Sequence, residues 1–404
     1  MHLFCLILGL TTVATLLVNP SGMPTATAST GPVGGATPII PARILDTRTS
    51  YGPVPGGGAV SIRIPGFYVI PQGTQAVVVN ITATQPTAAG FLTAYHSGVS
   101  APRTSNVNYG PGQTVANLAI VEVGADGYIT ISNSSAGSVH IIVDVTAYFG
   151  PSGQWDAPGS YRPLAPQRLL DTRTSSGPVP GGGTVPLRLG GATGVPANAS
   201  AVVANLTVTQ PTSNGFISAY PTGSSKPNVS NQNYAQNQTI PSLAVVPVGP
   251  DGTVTIANSS SGTVQIVADV FGYFLPGTPA TSGAFVAVTP KRFLDTRTFR
   301  GPVSSAENVP VKVAGVDGIP SSASGVWVNL TVTEPTRFGY FEARAHFATV
   351  SFTSNLNFDR GQTIANMAYV PIGQDGKIEI QPLLNPVPRH ETTHVIADVF
   401  GYTL

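Results

Sequence analysis

The chain has 404 residues, 42% of them hydrophobic and only 9% charged, with 45 glycines and 37 prolines. That density of helix breakers excludes an α-rich protein, and the apolar fraction excludes a disordered one. With 19 basic against 18 acidic side chains the net charge is +1, so there is no positive surplus to neutralise phosphates, and nucleic acid is not an expected partner.

Residues 1–28 contain no Lys, Arg, Asp or Glu. A largely apolar run from Leu3 to Val18 ends before Asn19 and Pro20, and Ala26-Thr27-Ala28 supplies the small residues of a cleavage site. This is the order of an export signal, with 29–37 as a flexible lead-in. The competing reading is a retained anchor, for which the run is short; after cleavage no membrane span is expected. Cys5, the sole cysteine, falls within the leader, so a mature chain would have no disulfide, thiolate metal site or cysteine nucleophile.

Comparison of the chain with itself sets the organisation. Arg43-Ile44-Leu45-Asp46-Thr47-Arg48 returns as Arg168-Leu169-Leu170-Asp171-Thr172-Arg173 and as Arg292-Phe293-Leu294-Asp295-Thr296-Arg297, at offsets of 125 and 124 residues. Asn80, Asn205 and Asn329 keep those offsets, as do Gln113, Gln238 and Gln362. The repeats span 38–149, 161–274 and 285–404, and the intervening 150–160 and 275–284 have the Pro, Gly, Ser and Thr content of linkers. Each repeat is long enough to bury a core of its own.

Within a repeat the apolar period is 2. Val77, Val79, Ile81 and Ala83 alternate with Val78, Asn80, Thr82 and Thr84, which predicts a strand with one core face and one largely polar face. Similar runs at 60–64, 91–95, 115–123, 128–132 and 140–149, together with the Leu-Asp-Thr-Arg segment and a short stretch near Asn106, give about eight strands per repeat. No segment has the pattern of an amphipathic helix. The expected fold is all-β: three tandem antiparallel β-sandwich domains of jelly-roll or Ig-like type.

Leu-Asp-Thr-Arg followed by Gly-Pro-Val, Asn-x-Thr-x-Thr-x-Pro-Thr-x-x-Gly, Ser-Asn-x-Asn, Gln-Thr, Asp-Gly and Asp-Val-x-x-Tyr recur along the chain. With these motifs it resembles the tandem repeats of secreted actinobacterial cell-surface proteins. Such repeats often accompany wall hydrolases, including proteins labelled as N-acetylmuramoyl-L-alanine amidases. The resemblance implies an extracellular or wall-associated location and a repeat type, but supplies no catalytic residue, and no hydrolase domain remains outside the three copies. The expectation is a non-enzymatic surface or matrix protein that binds wall or other glycan, or copies of itself. The alternatives are an amidase-like peptidoglycan hydrolase and a self-assembling surface layer.

Nine of the acidic residues fall at three recurring positions. Asp126, Asp251 and Asp375 precede glycines, as in hairpin turns. Asp46 and Arg48 lie two apart in a strand and so share a face, with Arg43 on the other. Asp144, in the apolar strand 141–148, needs a partner, for which Arg48 or backbone amides are candidates. Asp46, Arg48 and Asp144 are therefore expected to form a structural polar clasp, repeated as Asp171, Arg173 and Asp269 and as Asp295, Arg297 and Asp398. No cofactor is expected; Ca²⁺ at these oxygens is the alternative.

The histidines lack a zinc-protease spacing: His390 and His394 are four apart, but in loop and strand rather than on a helix. Gly56-Gly57-Gly58 and Gly181-Gly182-Gly183 are expected turns, since neither opens a helix. The ligand candidates are Tyr109, Tyr234 and Phe358 beside Asn106, Asn231 and Asn355, because rings flanked by amides suit neutral sugars. The same rings could instead cap the core. Trp155, in the first linker, would join neighbouring domains.

Overall fold

The computed structural model describes residues 14–15, 35–67, 69–102, 104–151, 157–189, 194–351, 353–385 and 390–404. Of the expected leader and lead-in only 14–15 and 35–37 are among them, and Trp155 lies outside them. A two-residue strand, β1 (Ala14–Thr15), runs parallel to Ala59–Arg63.

Repeat 1 follows as β2 (Ala36–Asp46), β3 (Ala59–Arg63), β4 (Thr74–Thr84), β5 (Gly90–His96), β6 (Val107–Tyr109), β7 (Val115–Glu122), β8 (Tyr128–Ser135) and β9 (His140–Pro151). Repeat 2 has β10 (Tyr161–Asp171), β11 (Thr184–Arg188), β12 (Ala201–Thr209), β13 (Gly215–Pro221), β14 (Gln232–Tyr234), β15 (Ile240–Pro247), β16 (Thr253–Ser260) and β17 (Gln265–Phe274). Repeat 3 has β18 (Phe285–Asp295), a single helical turn α1 (Thr296–Phe299), β19 (Val303–Ser304), β20 (Val309–Lys312), β21 (Gly325–Thr333), β22 (Gly339–Ala345), β23 (Leu356–Phe358), β24 (Ile364–Pro371), β25 (Lys377–Leu384) and β26 (Thr392–Thr403).

Each repeat contributes two antiparallel sheets. In repeat 1 their orders are β2-β9-β4-β7 and β3-β8-β5-β6, and the other repeats follow suit. Asp-Gly hairpins join strands within this pattern: Gly127 has φ +83°, which a β-carbon would disfavour, and Tyr128 donates its amide to Asp126 Oδ1 at 3.1 Å.

The all-β class agrees with the sequence, but the expectation of three tandem β-sandwich domains is corrected. The chain is organised as six small sheets around a common centre, in the manner of a six-bladed β-propeller. The edge strands β7, β15 and β24 lie against one another at the middle. The opposite edge strands β6, β14 and β23 lie against β15, β24 and β7 of the next repeat around.

The reason is visible in β4. Val77, Val79 and Ile81 pack within repeat 1 against Leu92, Ile129 and Ile131. Val78, Asn80, Thr82 and Thr84, the polar half of the alternation, are buried as well. That second face is a boundary between repeats. Val78 and Leu118 share an apolar cluster with Val203, Leu243, Trp327 and Met367, so all three repeats meet in one core. Burial of each such side chain is worth about 1.5–3 kcal/mol, a gain that separated beads would forgo.

The described residues of the expected linkers, among them 157–160 and 275–284, pack into the ring. Gly159 donates to Leu275 O and accepts from Phe285, both at 3.0 Å. A β-carbon on Gly159 would come within 2.6 Å of Phe285 O, so this close approach requires glycine. Ala36 donates to Gly283 O at 2.8 Å and Gly283 donates to Leu404 O at 2.7 Å, closing the circle. Tyr161 and Phe285, which open β10 and β18, join Phe149, Phe274 and Trp327 in a chain of ring contacts, with Phe274 stacked on Phe285 at 4.1 Å.

Candidate functional site

The polar clasp is present with a different arginine at its centre. Arg48 holds Asp46 through Nε at 2.9 Å and Nη2 at 2.7 Å, and its backbone amide donates to Oδ1. Asp144 is held by Arg43, through Nε at 2.9 Å and Nη2 at 3.2 Å, and Arg43 Nη1 also reaches Asp46 at 3.4 Å. Of the expected partners of Asp144, a backbone amide, that of Ser354, does donate, but the arginine is Arg43 rather than Arg48, and the expectation that Arg43 lies on the face opposite Asp46 is corrected. The cause is a bulge: Arg43 pairs with Asp144 and Leu45 with Val143, leaving Ile44 as an extra residue. One inserted residue reverses the alternation and puts Arg43 and Asp46 on one side.

The arrangement recurs. Arg168 holds Asp269 at 2.8 Å while Arg173 holds Asp171, and Arg292 holds Asp398 at 2.8 Å while Arg297 holds Asp295. The inner aspartates are buried, and two of them reach across repeat boundaries. Asp144 accepts from Ser354 N of repeat 3, and Asp398 accepts from Ser230 N of repeat 2. Hydrogen bonding from Arg48 holds the Asp46 carboxyl below the usual carboxylate range, whereas burial pushes Asp144 up despite its bonds to Arg43. The signal that could have identified Arg43 was its recurrence three residues before each Asp46 equivalent.

Tyr109, Tyr234 and Phe358 lie inside the protein, at 5%, 3% and 3% exposure. The expected sugar platform at these rings is thereby corrected: no ring face is open to solvent. Tyr234 donates to Asn258 Oδ1 at 2.6 Å, Tyr109 donates to Asn133, and Phe358 packs edge-on to Phe341. Asn106, Asn231 and Asn355 are buried too, and their Oδ1 atoms accept from the amides of Ala94, Ala219 and Ala343 at 2.7, 2.6 and 2.7 Å. These are strand-pinning bonds for the short β6, β14 and β23. Thr47 and Thr296 hydroxyls meet His140 and His394 Nδ1 at 3.1 and 3.0 Å, and Thr172 donates to Gln265 at the middle position.

Asparagines also line the centre. Asn117 Nδ2 donates to Asn205 Oδ1 at 2.9 Å, joining repeats 1 and 2, and Asn366 Nδ2 donates to Asn80 Oδ1 at 3.0 Å, joining repeats 3 and 1. At the corresponding place in repeat 2 stands Ser242, and Asn329 Oδ1 has no hydrogen-bond partner. Asn80, Asn205 and Asn329 recur visibly in the sequence, whereas Asn117 and Asn366 were missed because Ser242 breaks their recurrence.

A cleft of about 460 Å³ lies on the seam between repeats 1 and 2. Phe91, Ala101, Asn108 and Ser134 line it from repeat 1, with Arg168, Arg173, Thr207, Thr209 and Thr239 from repeat 2. Phe91 is half-buried. Thr104 Oγ1, Asn108 Oδ1 and Thr207 Oγ1, all contributed by residues of this cleft, have no partner in the protein. Both guanidinium groups are neutralised by Asp269 and Asp171, so among the described residues the walls offer hydrogen-bonding groups without a net charge. Beyond Pro102 a second cleft of about 290 Å³ is lined largely by apolar groups, including Val99, Ile120, Leu164 and Phe271.

Among the described residues, no group of three or more His, Cys, Asp or Glu side chains is placed to hold a metal ion, and no helix is long and apolar enough to cross a membrane.

No family model matches the chain, and no curated protein matches it. Among solved structures it is similar to one reported as "The Triple Jelly Roll Fold and Turret Assembly in an Archaeal Virus", with 11% identity over 92% of this chain and 90% of that one and a TM-score of 0.20. It is also similar to one reported as "Life in the extremes: atomic structure of Sulfolobus Turreted Icosahedral Virus", with 11% identity over 90% of each chain and a TM-score of 0.19.

Proposed function

We propose that the chain is a non-enzymatic, exported surface or matrix protein that holds a glycan in the seam between its first two repeats. The observation that carries this reading is the cleft beside Phe91. A sugar has an apolar ring face and a rim of hydroxyls; Phe91 offers the surface for the first, and the exposed residues Ser134 and Thr239 offer hydroxyls for the second. Neutral walls fit an uncharged polymer better than an anionic one. The leader-like segment 1–28 and the resemblance to secreted surface repeats support an extracellular setting.

The test is retention on insoluble polysaccharide. Purified protein is incubated with cell-wall glycan and with an unrelated polysaccharide, and the bound fraction is measured after sedimentation. Wild type is expected to sediment with at least one of them. Phe91→Ala is expected to bind about fivefold more weakly, the equivalent of about 1 kcal/mol of ring contact. Absence of retention on any glycan would overturn the binding reading. Release of soluble wall fragments by the pure protein would overturn the non-enzymatic one in favour of the amidase-like alternative.

A further inference from the structure

In repeat 2, Lys226 lies with its ammonium 5.7 Å from the centroid of the Phe216 ring and donates to the Ser259 hydroxyl. Phe216 and Ser259 are directly opposed on the neighbouring strands β13 and β16. Repeat 1 builds the same pair: Phe91 opposes Ser134 on β5 and β8. At the offset of 125, however, the residue matching Lys226 is Ala101. The ring and hydroxyl are kept, the occupant is shortened to a methyl group, and all three residues line the seam cleft.

We infer that the Phe91–Ser134 pair is a binding subsite for a primary ammonium group carried by a ligand, the external counterpart of the Lys226 side chain. A cation over an aromatic face with one hydroxyl acceptor is a recognised attraction. The guanidinium groups of Arg168 and Arg173 do not forbid it. Their charges are matched by Asp269 and Asp171, and repeat 3 keeps the same four-residue arrangement as Arg292, Arg297, Asp398 and Asp295. Repeat 3 does not offer the subsite. Its equivalents are Tyr340 opposite Leu383, with Val350 at the lysine position, a set without the serine hydroxyl.

This goes beyond glycan recognition and does not depend on it. The ammonium could belong to a lysine side chain or to an amino sugar, and the two sources are separated by the probes. The full chain is titrated with n-butylamine, Nα-acetyl-lysine methylamide and glucosamine, with N-acetylglucosamine and n-butanol as uncharged controls, and chemical shifts are followed by NMR. One saturable site for butylammonium is expected, with n-butanol at least tenfold weaker. Ala101→Lys supplies the occupant internally and is expected to weaken butylammonium at least tenfold. Lys226→Ala is expected to vacate the Phe216–Ser259 pair and raise the count to two sites. Should Ala101→Lys fail to fold, Phe91→Leu serves in its place and is expected to lose the cation preference over n-butanol. Absence of saturable binding in wild type, or equal binding of butylammonium and n-butanol, would overturn the proposal. So would an affinity unchanged in both Ala101→Lys and Phe91→Leu. Binding of N-acetylglucosamine without the amines would leave the glycan reading standing and this one overturned.

Discussion

Asn117 donates from Nδ2 to Oδ1 of Asn205 at 2.9 Å, and the same asparagine accepts from the amide of Leu243 at 3.0 Å, so one side chain ties the centre of repeat 1 to two strands of repeat 2. Asn366 does the equivalent for repeat 1, through Asn80 and the amide of Leu118. Such bonds lie between buried groups, where an unmade bond costs about 1–3 kcal/mol.

The third seam lacks this tie because Ser242 replaces the asparagine, leaving Asn329 Oδ1 without a partner. Ser242→Asn is expected to stabilise the protein by about 1 kcal/mol by supplying the missing donor. Asn117→Ser is expected to destabilise by a similar or larger amount. Urea midpoints, at unchanged slope, measure both.

The two arginines of each clasp are expected to differ in weight. Asp144 is 1% exposed and depends on Arg43, so Asp144→Ala, which leaves a partly buried guanidinium insufficiently paired, is expected to cost about 3 kcal/mol. Arg48 is 42% exposed in its pair with Asp46, and Arg48→Ala is expected to cost about 1 kcal/mol or less. Equilibrium unfolding of the two variants checks the order.

Acid is expected to weaken the fold through the outer carboxylates. Asp46, Asp171 and Asp295 are held below their ordinary value by hydrogen bonds from Arg48, Arg173 and Arg297. Their contribution is complete above the unfolded value of about 4 and is lost as pH falls through the lower folded values. Asp144 and Asp398, pushed up by burial, act in the opposite sense: the folded state takes up their protons first, which adds to stability as pH falls. Replacing all three outer aspartates by asparagine is therefore expected to flatten the fall in melting temperature below about pH 4, and Asp144→Asn is expected to leave that fall in place.

Shared cores predict shared unfolding. Val78, Val203 and Trp327 belong to one cluster, and repeats 2 and 3 are joined by a second. The complete ring is expected to melt in a single calorimetric transition. Residues 35–151 produced alone would expose the face of Val78, Leu118 and Ile120, and are expected to associate into trimers that recreate the ring, as measured by sedimentation.

The repeat, the strand count and the Asp-Gly turns were legible in the sequence because they rest on local periodicity and turn chemistry. Blade arrangement was not. In β4 the alternation of Val79 and Asn80 has the look of core against solvent, and a buried polar face between repeats gives the same period. Asn80 is polar because it donates to Ser354 O of repeat 3, a partner 274 residues away. The clasp was half legible: Asp46 with Arg48 follows from strand parity, but the bulge at Ile44 overrides parity for Arg43 and Asp144. The aromatic platform failed because Tyr109 and Tyr234 satisfy their hydroxyls on Asn133 and Asn258 from inside.

Gly283 accepts from Ala36 and donates to Leu404, so the start of repeat 1 and the end of repeat 3 meet at one peptide. Order along the chain is thus only one of three equivalent ways to walk the circle. Opening it between 151 and 157 and splicing 404 to 35 would leave the same neighbours at each boundary. The seams are formally interchangeable stations, distinguished by side chains such as Ser242 at one centre, a lysine laid over Phe216, a tyrosine at 340 and an alanine at 101. A ring built in this way can specialise the rim of one seam, beside Ala101, while the Asn117–Asn205 tie at its centre holds that same seam together.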